Sequence, residues 1–209
     1  MVEQAAMVDQ VFVPGLDLGQ ALQTVAREGF AFVPRALAED FRRALQQEVQ
    51  ACPFQPVPGE IGPVRQETEE CVIPSPMDGY PLVARLSGEL VALVRDHGRA
   101  VAGLEAWVPT AAFVQRYRPG ALGITPHLDG RRFGLLVAVF TSEGSARFSI
   151  HETRSGPAVA RWEAAPGSLV LLRAPGLAGV DDGRPFHTVG GPTDQGRYSV
   201  SFRMDTRQA

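Results

Sequence analysis

From Trp107 onward, short apolar runs alternate with glycines at positions 120, 130, 144, 156, 167, 183 and 196. No helical periodicity separates them. The pattern predicts strands near 107–118, 124–129, 134–142, 146–152, 158–163, 168–173, 185–190 and 197–205. Connections this short cannot carry the crossovers that parallel pairing needs, so the strands must pair antiparallel in a sandwich or barrel. The run GLLVAVF, residues 134–140, is apolar on both faces. It predicts a central strand covered on both sides.

The first half has a different texture. Leu18, Ala21, Leu22 and Val25 fall at helical spacing behind Asp17, an N-cap candidate, and Gly29 ends the pattern. Phe30 to Val33 reads as a short strand. Phe41, Leu45 and Val49 mark a helix over 37–49, and Leu86, Leu90, Leu93 and Val94 mark another over 82–97 that stops at Gly98. Between these two, residues 52–81 contain seven prolines and three glycines, which excludes a long regular element. A connection of that length without its own structure acts as a lid or binding loop, or is an irregular surface excursion. The expected fold class is mainly β with flanking helices (α+β). It forms a single domain over 1–209, with helical support and a proline-rich lid in 1–105 and a β core in 106–205.

Composition narrows the partners. A formal charge of −3 gives no global attraction to phosphate backbones or anionic membranes. The N-terminal MVEQAAMVDQVFVPG lacks a basic leader and a sustained apolar core, and no run is long enough to span a bilayer. A cytoplasmic protein is expected. Cys52 and Cys71 are too few for a disulfide scaffold and read as free thiols, with one loop-closing disulfide as the alternative.

Chemistry concentrates in ITPHLDGRRFG, residues 124–134. Four histidines and ten aspartates in 209 residues yield a His-x-Asp pair by chance in roughly one chain of five, so the pair needs partners. On a strand, His127 and Asp129 share a face and supply two ligands of a facial triad suited to non-haem Fe(II). The third ligand would come from His97, His151 or His187. His97 ends a helix beside Arg95, Asp96 and Arg99 and reads as solvated surface. His151 alternates with Arg147 and Ser149, opposite Phe148 and Ile150, and reads as outward-facing. His187 lies in RPFHTVGG, which a closed double-sheet fold can return to the first pair. Ten residues later, RYSVSFR places Arg197, Ser199, Ser201 and Arg203 on one face. Turning that face inward is costly unless a carboxylate ligand pairs with the arginines, and turning it outward makes an edge strand.

The set His127-x-Asp129, His187 and Arg197-x-Ser199 resembles the iron- and 2-oxoglutarate-dependent oxygenases in order and spacing, over residues 107 to 205. The resemblance implies a double-stranded β-helix, or jelly-roll, buttressed here by the N-terminal helices. QRYRPG, residues 115–120, is similar to the Asn-x-Tyr-x-Pro-Gly of the AlkB-like branch, and Arg197-x-Ser199-x-Ser201-x-Arg203 is similar to that branch's C-terminal motif. Gln115 stands where the branch has asparagine, and the interval from His187 to Arg197 is shorter than in nucleic-acid repair members.

By this resemblance His127, Asp129 and His187 hold Fe(II). Arg197, with Ser199 and Tyr117, contacts 2-oxoglutarate, and Arg203 and Gln115 face the site. Oxidative decarboxylation by O2 to succinate and CO2, coupled to substrate hydroxylation, is the implied reaction. Related halogenases have a small residue at the position of Asp129, so a carboxylate there argues for oxygenation. Arg131 and Arg132 follow the metal pair and meet either an acidic substrate or solvent. RQETEE, residues 65–70, is net acidic and a poor surface for a nucleic-acid backbone. A small-molecule substrate is therefore preferred to AlkB-like demethylation of nucleic acid. Protein side-chain hydroxylation and a non-catalytic jelly-roll ligand-binding module are the further alternatives. The sequence does not specify an oligomeric state.

Overall fold

The computed structural model describes residues 9–208. The first eight residues, within the stretch read above for a leader, and Ala209 lie outside it. The chain runs α1 (Gly19–Glu28), β1 (Phe30–Val33), α2 (Glu39–Gln50), β2 (Gln55–Pro56), β3 (Glu60–Ile61), β4 (Val64–Glu67), β5 (Glu69–Pro74) and α3 (Pro81–His97). It continues through β6 (Ala111–Tyr117), β7 (Gly123–His127), β8 (Phe133–Glu143), β9 (Ala146–His151), β10 (Ala158–Ala164), β11 (Leu169–Arg173), β12 (Phe186–Gly190) and β13 (Arg197–Asp205).

Two antiparallel sheets result. One has the order β1-β11-β8-β13-β6-β5-β2 and the other β10-β9-β12-β7-β4-β3. This is the antiparallel sandwich expected from the strand pattern, and the jelly-roll that the resemblance implied. The run at 134–140 lies within β8, between β11 and β13, and is covered on both sides. Leu136, Ala138 and Phe140 face the helices together with Phe41, Leu45 and Leu90. Val137 and Val139 point between the sheets, near Phe148 and Val189. β13 is likewise interior, with Ser199 and Ser201 buried on one face and Val200 and Phe202 on the other, which removes the edge-strand reading.

Helix ends are capped across the fold. Asp17 Oδ1 accepts the Gly19 N–H at 2.7 Å, but the Leu18 N–H is met by His97 Nδ1 at 3.0 Å. His97 is thus a half-buried acceptor tying α3 to α1, which corrects its reading as solvated surface. Glu48 of α2 accepts the Leu82 and Val83 N–H groups at 2.9–3.0 Å and caps α3. Arg42 of α2 reaches Ser142 and Glu143 at the end of β8.

The segment 52–81 is not an unstructured connection. It carries β2 to β5: β5 extends one sheet by pairing with β6, and β4 extends the other by pairing with β7. The reason is visible in the proline positions. Residues 64–73 contain no proline, and that stretch is long enough for two short strands joined at Thr68. Cys52 and Cys71 are buried free thiols; burial, with Cys71 alongside, pushes the Cys52 thiol up to about 12. Among the described residues no helix is long and apolar enough to cross a membrane.

Phe140 is fully buried, and its ring centroid lies 6.2 Å from those of Phe12 and Phe202. Phe140→Ala should lower unfolding free energy by about 3–5 kcal/mol in urea titrations. Val72→Ala, at a residue 49% exposed, should change it by less than about 0.5 kcal/mol.

Candidate metal centre

β12 lies antiparallel to β7 with His187 directly opposite His127, so strand register rather than chain proximity creates the pair. The ring centroids are 4.1 Å apart. His127 Nδ1 meets the Thr125 carbonyl at 3.0 Å, and His187 Nδ1 meets the Pro185 carbonyl at 3.1 Å. A carbonyl only accepts, so each Nδ1 carries the proton and each Nε2 keeps its lone pair for a metal. Phe148 stacks on His187 at 5.4 Å and holds the ring plane.

Asp129 arrives differently. β7 ends at His127, so strand alternation does not set its direction, contrary to the sequence-based expectation. The Arg203 guanidinium, 3.3 Å from Oδ1, and Arg184, which donates to the Asp129 backbone carbonyl, hold it instead. The ligand atoms of His127, Asp129 and His187 all lie within 4.8 Å of one another.

The electrostatics favour a cation. Burial, reinforced by His187, pushes His127 down to about 3, and burial also depresses His187. Both imidazoles are therefore neutral donors near neutral pH. Burial works against the Asp129 carboxylate, but the Arg203 guanidinium beside it helps to hold the group below its usual range.

The same cavity contains a buried cation with no counter-charge. Arg197 is 1% exposed and stands opposite Tyr117 in the β13–β6 register. Its Nη2 donates to Thr141 Oγ1 at 3.0 Å, while Nε has no partner. Among the described residues no carboxylate forms an ion pair with it. A buried guanidinium without an ion-pair partner is costly, which makes Arg197 a candidate for holding an anion. Ser199, also 1% exposed, lies beside it.

A small cavity of ≈ 30 Å³ joins these parts. His127, Asp129, His187, Arg197, Ser199, Tyr117, Gln115 and Arg203 line it, and Ile124, Val139, Phe148 and Val189 form its apolar walls. Arg131 and Arg132 stand outside this lining. Arg131 is paired with Asp181 at 2.9 Å, and Arg132 with Asp205 at 3.2 Å. His151 is directed away, its Nε2 2.8 Å from Thr188 Oγ1. Sequence reasoning missed Thr141, Arg184 and Phe148. Only Thr141, the first polar residue after GLLVAVF, left a local trace. A larger groove of ≈ 540 Å³ between residues 56–69 and 116–121 touches no metal-ligand candidate.

No family model matches the sequence, and no curated protein does. Solved structures match in fold. A Pseudomonas putida prolyl-4-hydroxylase superposes with a TM-score of 0.62 at 20% identity, covering 89% of this chain and 97% of that one. An oxidoreductase of the 2OG-Fe(II) oxygenase family from Burkholderia pseudomallei gives 0.65 at 13%, covering 90% and 91%. Its fold is that of the 2-oxoglutarate- and Fe(II)-dependent oxygenases. OsALKBH1 gives 0.54 at 14%, covering 84% and 98%, so the overlap extends to AlkB-type structures without being confined to them.

A depressed histidine leaves a signature in stability. Below pH 6.5 an unfolded imidazole takes up a proton that folded His127 refuses until about pH 3, so unfolding gains a proton. Stability from this group is fully present above pH 6.5 and is lost as pH falls towards 3. Urea midpoints of chelator-treated protein should decline across that window, and His127→Phe should flatten part of the slope.

Proposed function

We propose that this chain is an Fe(II)- and 2-oxoglutarate-dependent oxygenase that hydroxylates a small-molecule substrate. The observation that carries this reading is one cavity holding both a His-Asp-His donor set and a buried, carboxylate-free arginine. The donors fit the metal: two neutral imidazole nitrogens with fixed tautomers and one carboxylate form the set that suits non-haem Fe(II). His127, Asp129 and His187 would hold the ion, and the orphaned N–H of Arg197, with Ser199, would anchor the distal carboxylate of 2-oxoglutarate.

Bound iron with 2-oxoglutarate supplies the activation of dioxygen, and the balanced outcome converts 2-oxoglutarate, O2 and substrate C–H into succinate, CO2 and C–OH. The chain's own residues orient and exclude. Phe148 and the Nδ1 hydrogen bonds fix the imidazoles, Arg203 and Arg184 fix Asp129, and the apolar walls keep bulk water away. Tyr117, fully buried against Arg197, narrows the anion end.

A small substrate is favoured over nucleic acid by the charge around the cavity. Glu69 and Glu70 lie on β5, with Glu69 held at about 2 by Arg118 and Arg116, and Arg131 and Arg132 are already paired with carboxylates. The two arginines that follow the metal pair are thus already neutralised and offer little to a phosphate backbone. Peptidyl hydroxylation is the second reading, supported by the extensive overlap with the Pseudomonas prolyl-4-hydroxylase.

Purified protein with Fe(II), 2-oxoglutarate and O2 should release succinate, measured by mass spectrometry. His127→Ala should abolish release, and Arg197→Ala should raise the KM for 2-oxoglutarate by roughly 30-fold or more. Stimulation by a fractionated metabolite extract, rather than by proline-containing peptides or methylated oligonucleotides, supports the small-molecule assignment. Stimulation by either polymer alone overturns it.

A further inference from the structure

The strand register places Glu70 of β5, Gln115 of β6 and Ser199 of β13 in one line across three neighbouring strands, with Tyr117 and Arg197 facing each other two residues along. Gln115 Nε2 donates to Glu70 Oε2 at 3.3 Å, and Tyr117 Oη donates to Gln115 Oε1 at 3.0 Å. The chemistry of the end group fixes both directions. An ionised carboxylate only accepts, so the Gln115 amide must turn its nitrogen to Glu70 and its carbonyl to Tyr117. A phenol has one proton, and here it is committed to Gln115. The Tyr117 oxygen therefore has only lone pairs left for the cavity it lines, and the Arg197 guanidinium carbon lies over its ring, 5.3 Å from the centroid.

We propose that Glu70 is a positioning residue: acting through Gln115, it turns the Tyr117 proton away from the cavity, so that Tyr117 meets Arg197 and any bound ligand as an acceptor. This rests on the oxygenase reading for its consequence, though not for its geometry. Every proton in the chain points from Arg197 towards Glu70, so a carboxylate one residue outside the cavity lining steadies a buried guanidinium without occupying the N–H groups that an anionic ligand needs. It also means that Arg197 and Ser199, rather than Tyr117, hold the ligand's carboxylate. A ligand group lying against the phenol oxygen must be a donor or apolar.

Two measurements test this. With a Glu70→Gln side chain the terminal group both donates and accepts, so the Gln115 amide is free to invert and Tyr117 is free to donate inward. In protein carrying 13C-labelled tyrosine, the Tyr117 Cζ resonance (assigned with Tyr117→Phe) should shift in Glu70→Gln without any ligand present. Calorimetry with Mn(II) at the metal site should show 2-oxoglutarate binding tightened by roughly tenfold in Glu70→Gln, the scale of one hydrogen bond to a charged acceptor. That gain should vanish in Glu70→Gln/Tyr117→Phe. Structural damage from the substitution would weaken binding, the opposite sign. An unmoved Cζ resonance, or unchanged or weaker binding, overturns the proposal. Absence of 2-oxoglutarate binding in the unsubstituted protein refutes the oxygenase reading instead, and the resonance still decides the direction of the proton.

Discussion

A guanidinium sealed between two sheets must be given an anion or it destabilises the fold that seals it. Arg197 is such a group: it sits on β13, between β8 and β6, buried from solvent and with no carboxylate among the described residues at ion-pair distance. Much of the surrounding architecture follows from keeping that strand interior. Val200 and Phe202 on its other face bind it to the helix layer, so β13 cannot slide outward to hydrate the charge without exposing apolar core. The helices are in turn locked to one another by caps that cross the fold, His97 to Leu18 and Glu48 to Leu82 and Val83. The N-terminal half thus supports the anion end of the cavity although it contributes none of the metal ligands.

Much of this was legible in the sequence because the relevant signals are local. Glycine punctuation marked the eight C-terminal strands to within a few residues, and the continuous apolar run at 134–140 marked the strand covered on both sides. Alternation in RYSVSFR put Arg197, Ser199 and Arg203 on one face, and the structure lines one cavity with all three. What stayed hidden was set by distant partners. No local pattern shows that His187 lies opposite His127, that Arg184 reaches the Asp129 carbonyl, or that His97 caps another helix. Asp129 reached the cluster for a reason other than the one the spacing suggested: it lies beyond the end of β7, and cross-chain contacts aim it.

The segment 52–81 shows how composition can mislead. Its prolines rule out a helix or a long strand, yet they crowd its two ends and leave 64–73 free to pair. Thr68 marks the point where the chain leaves one sheet for the other, and its hydroxyl lies 3.2 Å from the Arg116 carbonyl. By joining both sheets the segment closes one side of the sandwich. It also carries Glu70 to Gln115, which lines the cavity, a contact that no local pattern in the sequence shows.

The cavity's charges also imply an order of occupation. With both histidines neutral, the groups lining it are two guanidiniums and one carboxylate, and Arg203 already contacts that carboxylate. A dianion entering first would gain Arg197 but would meet the unshielded Asp129 and the nitrogen lone pairs of two imidazoles. On the oxygenase reading, a divalent cation held by those same lone pairs and by Asp129 would add positive charge to the cavity. A dicarboxylate would then find attraction at both ends, from the cation on one side and from Arg197 on the other. The fixed tautomers matter most for the first step, because a proton on either Nε2 would oppose the cation that makes the second step favourable.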